Sequence, residues 1–310
     1  MRNITTLLIT LLTITSTAAG GTLLVPSQYP TIQSAIDAAA DGDTVIIAPG
    51  RYTGDGNRDI TYRGKAITVR SIDPNDPNII AATIIDCNAD ANNPHCGFIF
   101  NSSEGPDSVL AGIQIINGHA QIDPIHPPLE GDAVLCDGAS PQITQCRLPA
   151  QKGRYVLNCV NSNVSIINCI SESPTDASCT AMSLRDCNAN IIDCEIMGFK
   201  TGIGCSKSDV AIRGCALVFG SNSYGVSWEY DCNVTINGCT FSGQKNALTG
   251  IAIRGRSGFL STTNVQISDT NITDMKGSSV SLNGNILLTV HNCHIANNRD
   301  GIIATSHFIT

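Results

Sequence analysis

The sequence predicts an all-β protein, a right-handed parallel β-helix with a short N-terminal capping helix, and three observations predict it. A column recurs through the second half of the chain at Cys146, Cys169, Cys194, Cys215, Cys239, Thr270 and Cys293, with steps of 21 to 31 residues. Mostly apolar residues hold fixed offsets from it: five before (Val164, Val210, Val234), three before (Ile166, Ile212, Ile236) and two after (Ile196, Leu217, Phe241). Only 14% of the chain is charged and 5% aromatic, while Gly, Asn, Ser, Thr and Ile abound, a balance that suits short strands and polar turns better than packed helices.

The offsets dictate the geometry. Alternate side chains of a strand point to opposite faces, so Val-x-Ile places both apolar residues on one side. The change from an offset of two to one of three before the Cys marks a bend between two short strands. A unit of this length buries its apolar side only by stacking on a copy of itself, about 4.8 Å away and in parallel register. A β-sandwich would instead show hairpin turns about every 8–12 residues without a fixed column order.

A second strand precedes the Cys column in each coil. Val134, Val156, Met182, Ile203, Val226, Ile251, Val280 and Ile302 are read as facing inward, as are Cys136, Asn158, Leu184, Cys205, Trp228, Ile253, Leu282 and Ala304 two residues later. Gly introduces several of these strands, as in Gly202-Ile203, Gly225-Val226 and Gly250-Ile251.

The chain starts differently. Arg2 and the apolar, Thr-interspersed residues 4–14, followed by Ser16-Thr17-Ala18-Ala19-Gly20, have the order of an export signal, so residues 1–20 are expected to be removed. Residues 21–310 then form one domain, of which 21–50 are the N-terminal cap and first coil. Leu23-Leu24-Val25 is a strand. Thr31 caps a helix carrying Ile32, Ala35, Ile36 and Ala39 at helical spacing, and Asp41-Gly42 stops it before the strand Thr44–Ile47. Such a helix covers a coil end that would otherwise expose unpaired backbone. Further coils follow through Ala66–Arg70, Thr83–Asp86 and Val109–Asn117. Asp300-Gly301-Ile302-Ile303 opens another coil near the last residue, Thr310, so that edge is expected to be truncated or to pair with further chain or a partner.

An export signal implies the cell exterior, the cell surface or the periplasm. A formal charge of −8 without a basic cluster argues against nucleic acid, whose phosphates demand Lys and Arg. After the signal, no segment is long and apolar enough to span a bilayer as a helix.

The N-terminal run Thr31-Ile32-Gln33-Ser34-Ala35-Ile36-Asp37-Ala38-Ala39, with Gly42-Asp43-Thr44-Val45 and Ala48-Pro49-Gly50-Arg51-Tyr52, resembles that of pectin-lyase-like right-handed β-helix proteins, as do Gly64–Val69 and Ile84–Cys87. The resemblance is closest to bacterial secreted β-helix-repeat proteins and covers essentially the whole chain after residue 20. It is specific for fold and weak for activity, because many functions share the scaffold. The paired Asp motifs of pectin methylesterases, the Asn-Thr-Asp and Gly-His-Gly of polygalacturonases and the Arg-x-Pro-x-x-Arg of many pectate lyases do not occur.

The resemblance places polysaccharide in a long shallow cleft on the outward face of the second strand. One outward position there reads Asp137, Cys159, Arg185, Ser206, Glu229, Arg254 and Asn283, followed by Asp186, Lys207, Tyr230, Asp231 and Arg256. Carboxylates beside cations suit acid–base work on a uronate, with calcium as the cation that would bridge acid groups. Glu229, Asp231, Lys207 and Arg254 are the catalytic candidates; Asp137, Arg185, Asp186, Tyr230 and Arg256 are the substrate-binding ones. Alternating charges of this kind are also what any solvated face needs. Two functions follow: binding or processing of extracellular polysaccharide (as a lyase or hydrolase, if catalytic), or a non-catalytic adhesin-like or structural module of a longer exported protein. The chain has fourteen Cys. Ladder neighbours about 4.8 Å apart fit disulfide geometry poorly, so the ladder Cys read as buried thiols, and Cys87 with Cys96 is the candidate bridge.

Overall fold

The structure is a computed structural model that describes residues 20–119, 133–220, 223–229, 231–243, 249–254, 263–283 and 286–304. Every pairing between its named strands is parallel and joins one coil to the next, from Thr22↔Thr44 to Leu282↔Ala304. The chain is a parallel β-solenoid with a three-walled cross-section.

The first wall is an eleven-stranded sheet among the described residues, from Thr22–Val25 and Thr44–Ile47 to Thr263–Ser268 and Ile286–His291. The second wall holds the strands that follow the Cys column, such as Ala216–Phe219 and Thr240–Gly243. The third holds the strands that precede the next corner, such as Val134–Asp137, Tyr155–Val160, Tyr224–Glu229 and Ser278–Asn283. Ile170–Arg185 and Glu195–Ser206 run through the second and third walls in turn, with an irregular register around Ala177.

The register matches the columns expected from the sequence on the first two walls. Val164, Ala189, Val210, Val234 and Val265 stack in line, as do Ile196, Leu217, Phe241 and Ile272, and all are buried. Each fully buried Val, Ile, Leu or Phe contributes about 1.5–3 kcal/mol relative to exposure. One coil of the third wall corrects the expectation by a single residue. Val134 pairs with Leu157 rather than Val156, and Cys136 with Cys159 rather than Asn158. Two successive buried residues open this strand in several coils, and elsewhere the first is small (Ala133, Ala181, Ser279); here it is Val156, as large and apolar as the Leu157 that holds the column, so the two are indistinguishable by pattern. Cys159 therefore faces the core, and Val160 takes its place in the outward column.

The corners explain the abundance of Asn, Asp and Gly. The residue before each ladder Cys or Thr has positive φ: Gln145 53°, Asn168 52°, Asp193 51°, Gly214 63°, Gly238 63°, Asp269 51°, Asn292 50°. Left-handed backbone favours Gly and, after it, Asn and Asp. The corner between the third and first walls repeats the device at Gly138, Asn161, Asp186, Lys207 and Asp231. Behind most of these residues a small polar side chain closes the bend; Ala139, behind Gly138, is the exception. Cys194 Sγ donates to Ile192 O (3.3 Å) and Cys215 Sγ to Arg213 O (3.3 Å), while Thr270 Oγ1 does the same to Ser268 O (2.7 Å). At the other corner Ser162 Oγ donates to Val160 O (2.7 Å), Cys187 Sγ to Arg185 O (3.1 Å) and Ser208 Oγ to Ser206 O (2.8 Å). The Cys are thus corner hydrogen-bond donors as well as fillers, interchangeable with Ser and Thr. Cys146, Cys169, Cys194, Cys215, Cys239 and Cys293 are free thiols, as their column spacing predicts.

The glycines that introduce the third wall have a steric cause. A Cβ on Gly225 would lie 2.4 Å from Phe219 Cζ and 2.3 Å from Gly250 O.

At the N-terminal end, helix α1 (Ile32–Ala38) has Thr31 as its N-cap and buries Ile32, Ala35 and Ile36. Lys65 Nζ donates to Ile36, Asp37 and Ala39 carbonyls at its other end (2.7, 2.9 and 2.7 Å). A second helix that the sequence reading did not anticipate, α2 (Pro77–Ala82), starts at Asp76 with Pro at its first position. It buries none of its residues, so it lacks the apolar stripe by which α1 was legible. At the far edge Val290 and Ile302 are 36% and 41% exposed, and residues 1–19 of the expected leader (1–20) and residues 305–310 lie outside the described residues.

Candidate functional site

The outward face of the third wall carries a shallow groove of about 320 Å³. Its floor is made by the outward positions of three successive rungs, Thr180 and Ser183, Thr201 and Gly204, then Ser227, with Ser206 at one margin and Arg154 and Tyr155 at the other. Small hydroxyl-bearing residues are what the local backbone offers here: they alternate with the inward column Met182, Ile203 and Val226 and leave the face open. The Arg154 guanidinium lies 5.4 Å from the centre of the Tyr155 ring, a cation–π contact that holds the ring at the rim.

The residues singled out from sequence fall in two lines beside this groove. By backbone register Asp137, Val160, Arg185, Ser206, Glu229, Arg254 and Asn283 form one column, so Asp137, Arg185, Glu229 and Arg254 share it and only Ser206 of the column lines the groove. Asp186, Lys207 and Asp231 sit one step further on, at the corner, with φ of 52°, 48° and 57° and exposed side chains. The backbone therefore accounts for Asp186 and Asp231, residues that accept left-handed geometry readily; Lys207 is the one at odds with it. Tyr230 and Arg256 lie outside the described residues. Seven of the groove's own residues, Arg154, Tyr155, Thr180, Ser183, Thr201, Gly204 and Ser227, are not among those singled out from the sequence. Their signal is weak in sequence: a lone Arg-Tyr pair before a strand, and Thr at an outward position, are both commonplace.

Among the described residues no three His, Cys, Asp or Glu side chains gather as a metal ion would need. Among the described residues the donors do not fit calcium, which takes about six to eight oxygen ligands. Cys87 and Cys96 are both buried, and the Cys96 amide donates to Asp59 Oδ1 (2.9 Å), while His95 Nδ1 meets Asp59 Oδ2 (2.6 Å). Burial pushes the thiols near the third wall upward: Cys159 and Cys205 well above the ordinary range, and Cys187 up to about 11. These thiols stay protonated and are packing and corner groups, not nucleophiles.

Residues 208–309 match the family model described as "Right handed beta helix region". No curated protein matches the chain. Among solved structures, the catalytic unit of the GH87 α-1,3-glucanase of Streptomyces thermodiastaticus strain HF3-3 is similar at 12% identity, over 95% of this chain and 69% of that one, with a TM-score of 0.48. The alginate lyase of Paenibacillus sp. str. FPU-7 is similar at 12% identity over 90% and 96%, with a TM-score of 0.44, and the pectin methylesterase of Aspergillus niger at 13% over 94% and 93%, with a TM-score of 0.45. The coil-to-coil parallel register and the family match over residues 208–309 together identify the chain as a right-handed parallel β-helix protein, the fold that the resemblance at its N-terminal region implied.

Proposed function

We propose that this chain is an exported protein that holds an extended saccharide chain in the third-wall groove. The observation that carries the reading is the composition of that groove: hydroxyls of Thr180, Ser183, Thr201, Ser206 and Ser227 on a small-residue floor, with the Tyr155 ring and Arg154 at the rim. A saccharide presents hydroxyls that both donate and accept, and ring faces that are apolar. Ser and Thr hydroxyls match the first and an aromatic ring the second. The groove is open and runs along the stacking direction, so it admits a polymer passing through rather than only a chain end.

Any acid–base chemistry belongs to the neighbouring charged lines. Glu229 or Asp231 would act as the acid–base group and Lys207 or Arg254 as its cationic partner, with Asp137, Arg185 and Asp186 flanking.

The test is retention of the exported protein on a polysaccharide array, with ultraviolet absorbance of unsaturated uronates read in parallel. N-terminal sequencing should find its first residue near Gly21. Ser183→Arg, which fills the groove from an outward position, should abolish retention with the fold intact by circular dichroism. Retention that survives Ser183→Arg rules the groove out. New absorbance that is lost in Glu229→Gln or Arg254→Ala assigns catalysis to the charged column, whereas retention without product makes the chain a binding module.

A further inference from the structure

The columns that floor the groove differ sharply in charge from the column beside it. The loop-side floor is Tyr155, Thr180 and Thr201, and its column continues in unbroken register through Tyr224 to the buried Thr249 and Ser278. The middle floor is Ser183, Gly204 and Ser227, in a column that runs from the buried Asn158 to the buried Ala252. Neither holds a charged residue over these rungs. The charges stand in the corner-side column and alternate in sign, with Asp137 and Glu229 against Arg185 and Arg254, so they set up no net field of one sign along the floor. Arg154, the cation at the loop-side rim, is exposed and turned onto the Tyr155 ring. A polyuronate laid along this floor would carry a carboxylate on every unit with no matching row of cations beneath it. A ligand of hydroxyls and apolar ring faces meets its complement at each rung.

The loop-side column also sets a length. Tyr155 and Tyr224 are separated by Thr180 and Thr201, hence by three rungs of the stack. Three rungs of a parallel sheet span about 14 Å. A pyranose unit in an extended chain advances by roughly one rung, so a ring seated on Tyr155 and a ring seated on Tyr224 are three units apart along the same chain, with the Thr180 and Thr201 hydroxyls facing the two units between. We infer that the groove selects an uncharged saccharide of at least four units, with Tyr155 and Tyr224 as its two end platforms. This rests on the groove reading above and adds substrate class and length to it.

The experiment is calorimetric titration of the intact protein with graded oligosaccharides of two to six units, in cello-, xylo-, laminari-, malto- and manno- series, and with oligogalacturonates of the same lengths. In an uncharged series that binds, affinity should step up by about tenfold between three and four units, the worth of one added aromatic platform. Tyr224→Ala should remove that step and leave shorter members unchanged, while Tyr224→Phe, which keeps the ring, should preserve it. An affinity that climbs evenly with length, a step unaffected by Tyr224→Ala, or tighter binding of oligogalacturonates than of every uncharged series would overturn the inference while leaving a saccharide groove in place. Failure of all series to bind would instead remove the groove reading itself.

Discussion

The coils before residue 119 and those after residue 133 solve the same problem by different means. In the first region each exposed or buried polar end is closed by a lock that occurs once. Lys65 caps the end of α1, Glu104 accepts the Gly64 and Ser102 amides (3.0 and 2.8 Å), and Asp43 accepts those of Gly21 and Ala40 (2.5 and 2.8 Å). Asp86 binds Arg51 and Asn117; burial pushes its carboxyl up, but these bonds and the Asn88 amide outweigh it and hold it below the usual range. The core there includes an aromatic cluster, with Tyr62 tilted against Phe100 at 4.6 Å and edge-on to Phe98 at 6.3 Å. In the second region the same job falls, at nearly every such corner, to whichever of Cys, Ser or Thr occupies the column. A lock is specific to its partners; a ladder position is supported by the coil above and the coil below. The first region gains a defined end, and the second gains tolerance of substitution provided size and polarity are kept.

The largest expected effect breaks a ladder. Val234 is 1% exposed and stacks between Val210 and Val265, so Val234→Asp puts a carboxylate among apolar neighbours at a cost on the order of 4 kcal/mol or more. Because contacts in a solenoid run between adjacent coils, the damage should be regional. Hydrogen exchange should show protection lost across 208–304 while the amides of 22–71 remain slow. A native-like denaturation midpoint for this variant would contradict the register, and uniform loss of protection would contradict the division into two regions.

That register was legible for a physical reason: a column used many times writes its periodicity into the sequence, and the Val-x-Ile-x-x-Cys spacing needed no knowledge of any one contact. The α1 cap was legible for the same kind of reason, since Thr31 and the Ile32, Ala35, Ile36 spacing form a local pattern. The locks were not. Arg51 to Asp86 spans 35 residues and Gly64 to Glu104 spans 40, and nothing local marks either pair. The slip at Leu157 escaped because the first of its two successive buried residues is Val156, where the other coils carry a small residue such as Ala181 or Ser279. The groove was half legible. Its wall followed from the fold, but charge is the conspicuous signal in sequence and it sits at the corner, where Asp186 and Asp231 answer to backbone geometry, while the hydroxyl floor two positions back carries none.

A middle-sized effect separates the two regions by pH. Thiols at the third wall are raised by burial, Cys187 up to about 11. A group whose folded pKa lies above its unfolded one contributes stability that is fully present below the unfolded value, about 8.5 for a thiol, and lost as pH rises toward the folded value. Asp86 has the opposite sign: its contribution is present above the ordinary carboxylate value and lost as pH falls. Alkaline titration between about pH 8.5 and 11 should therefore first lower the stability of the coils whose third wall carries Cys159, Cys187 and Cys205, and acid that of the N-terminal coils. Exchange rates measured at both extremes check this; loss of the same region in acid and base would erase the distinction.

The smallest effect tests whether a ladder position can depart from its rule for a reason. Lys207 holds φ 48° at a corner where the equivalent residues are Asn161, Asp186 and Asp231. Left-handed backbone costs a non-glycine residue about 1 kcal/mol, and Asn relieves much of that through its short polar side chain. Lys207→Asn should thus raise the unfolding midpoint slightly, the one substitution here with a positive sign. Its exposed side chain closes no corner, since Ser208 Oγ does that work by donating to Ser206 O. If the variant gains stability and keeps saccharide retention and any product formation, Lys207 is an unfavourable residue that the ladder's redundancy tolerates. If it gains stability and loses product formation, the strain is maintained for the ammonium beside the groove. The two regions then differ in one further respect: locks spend their charges on the fold, while a ladder, needing so little from each member, leaves a corner charge available for a ligand.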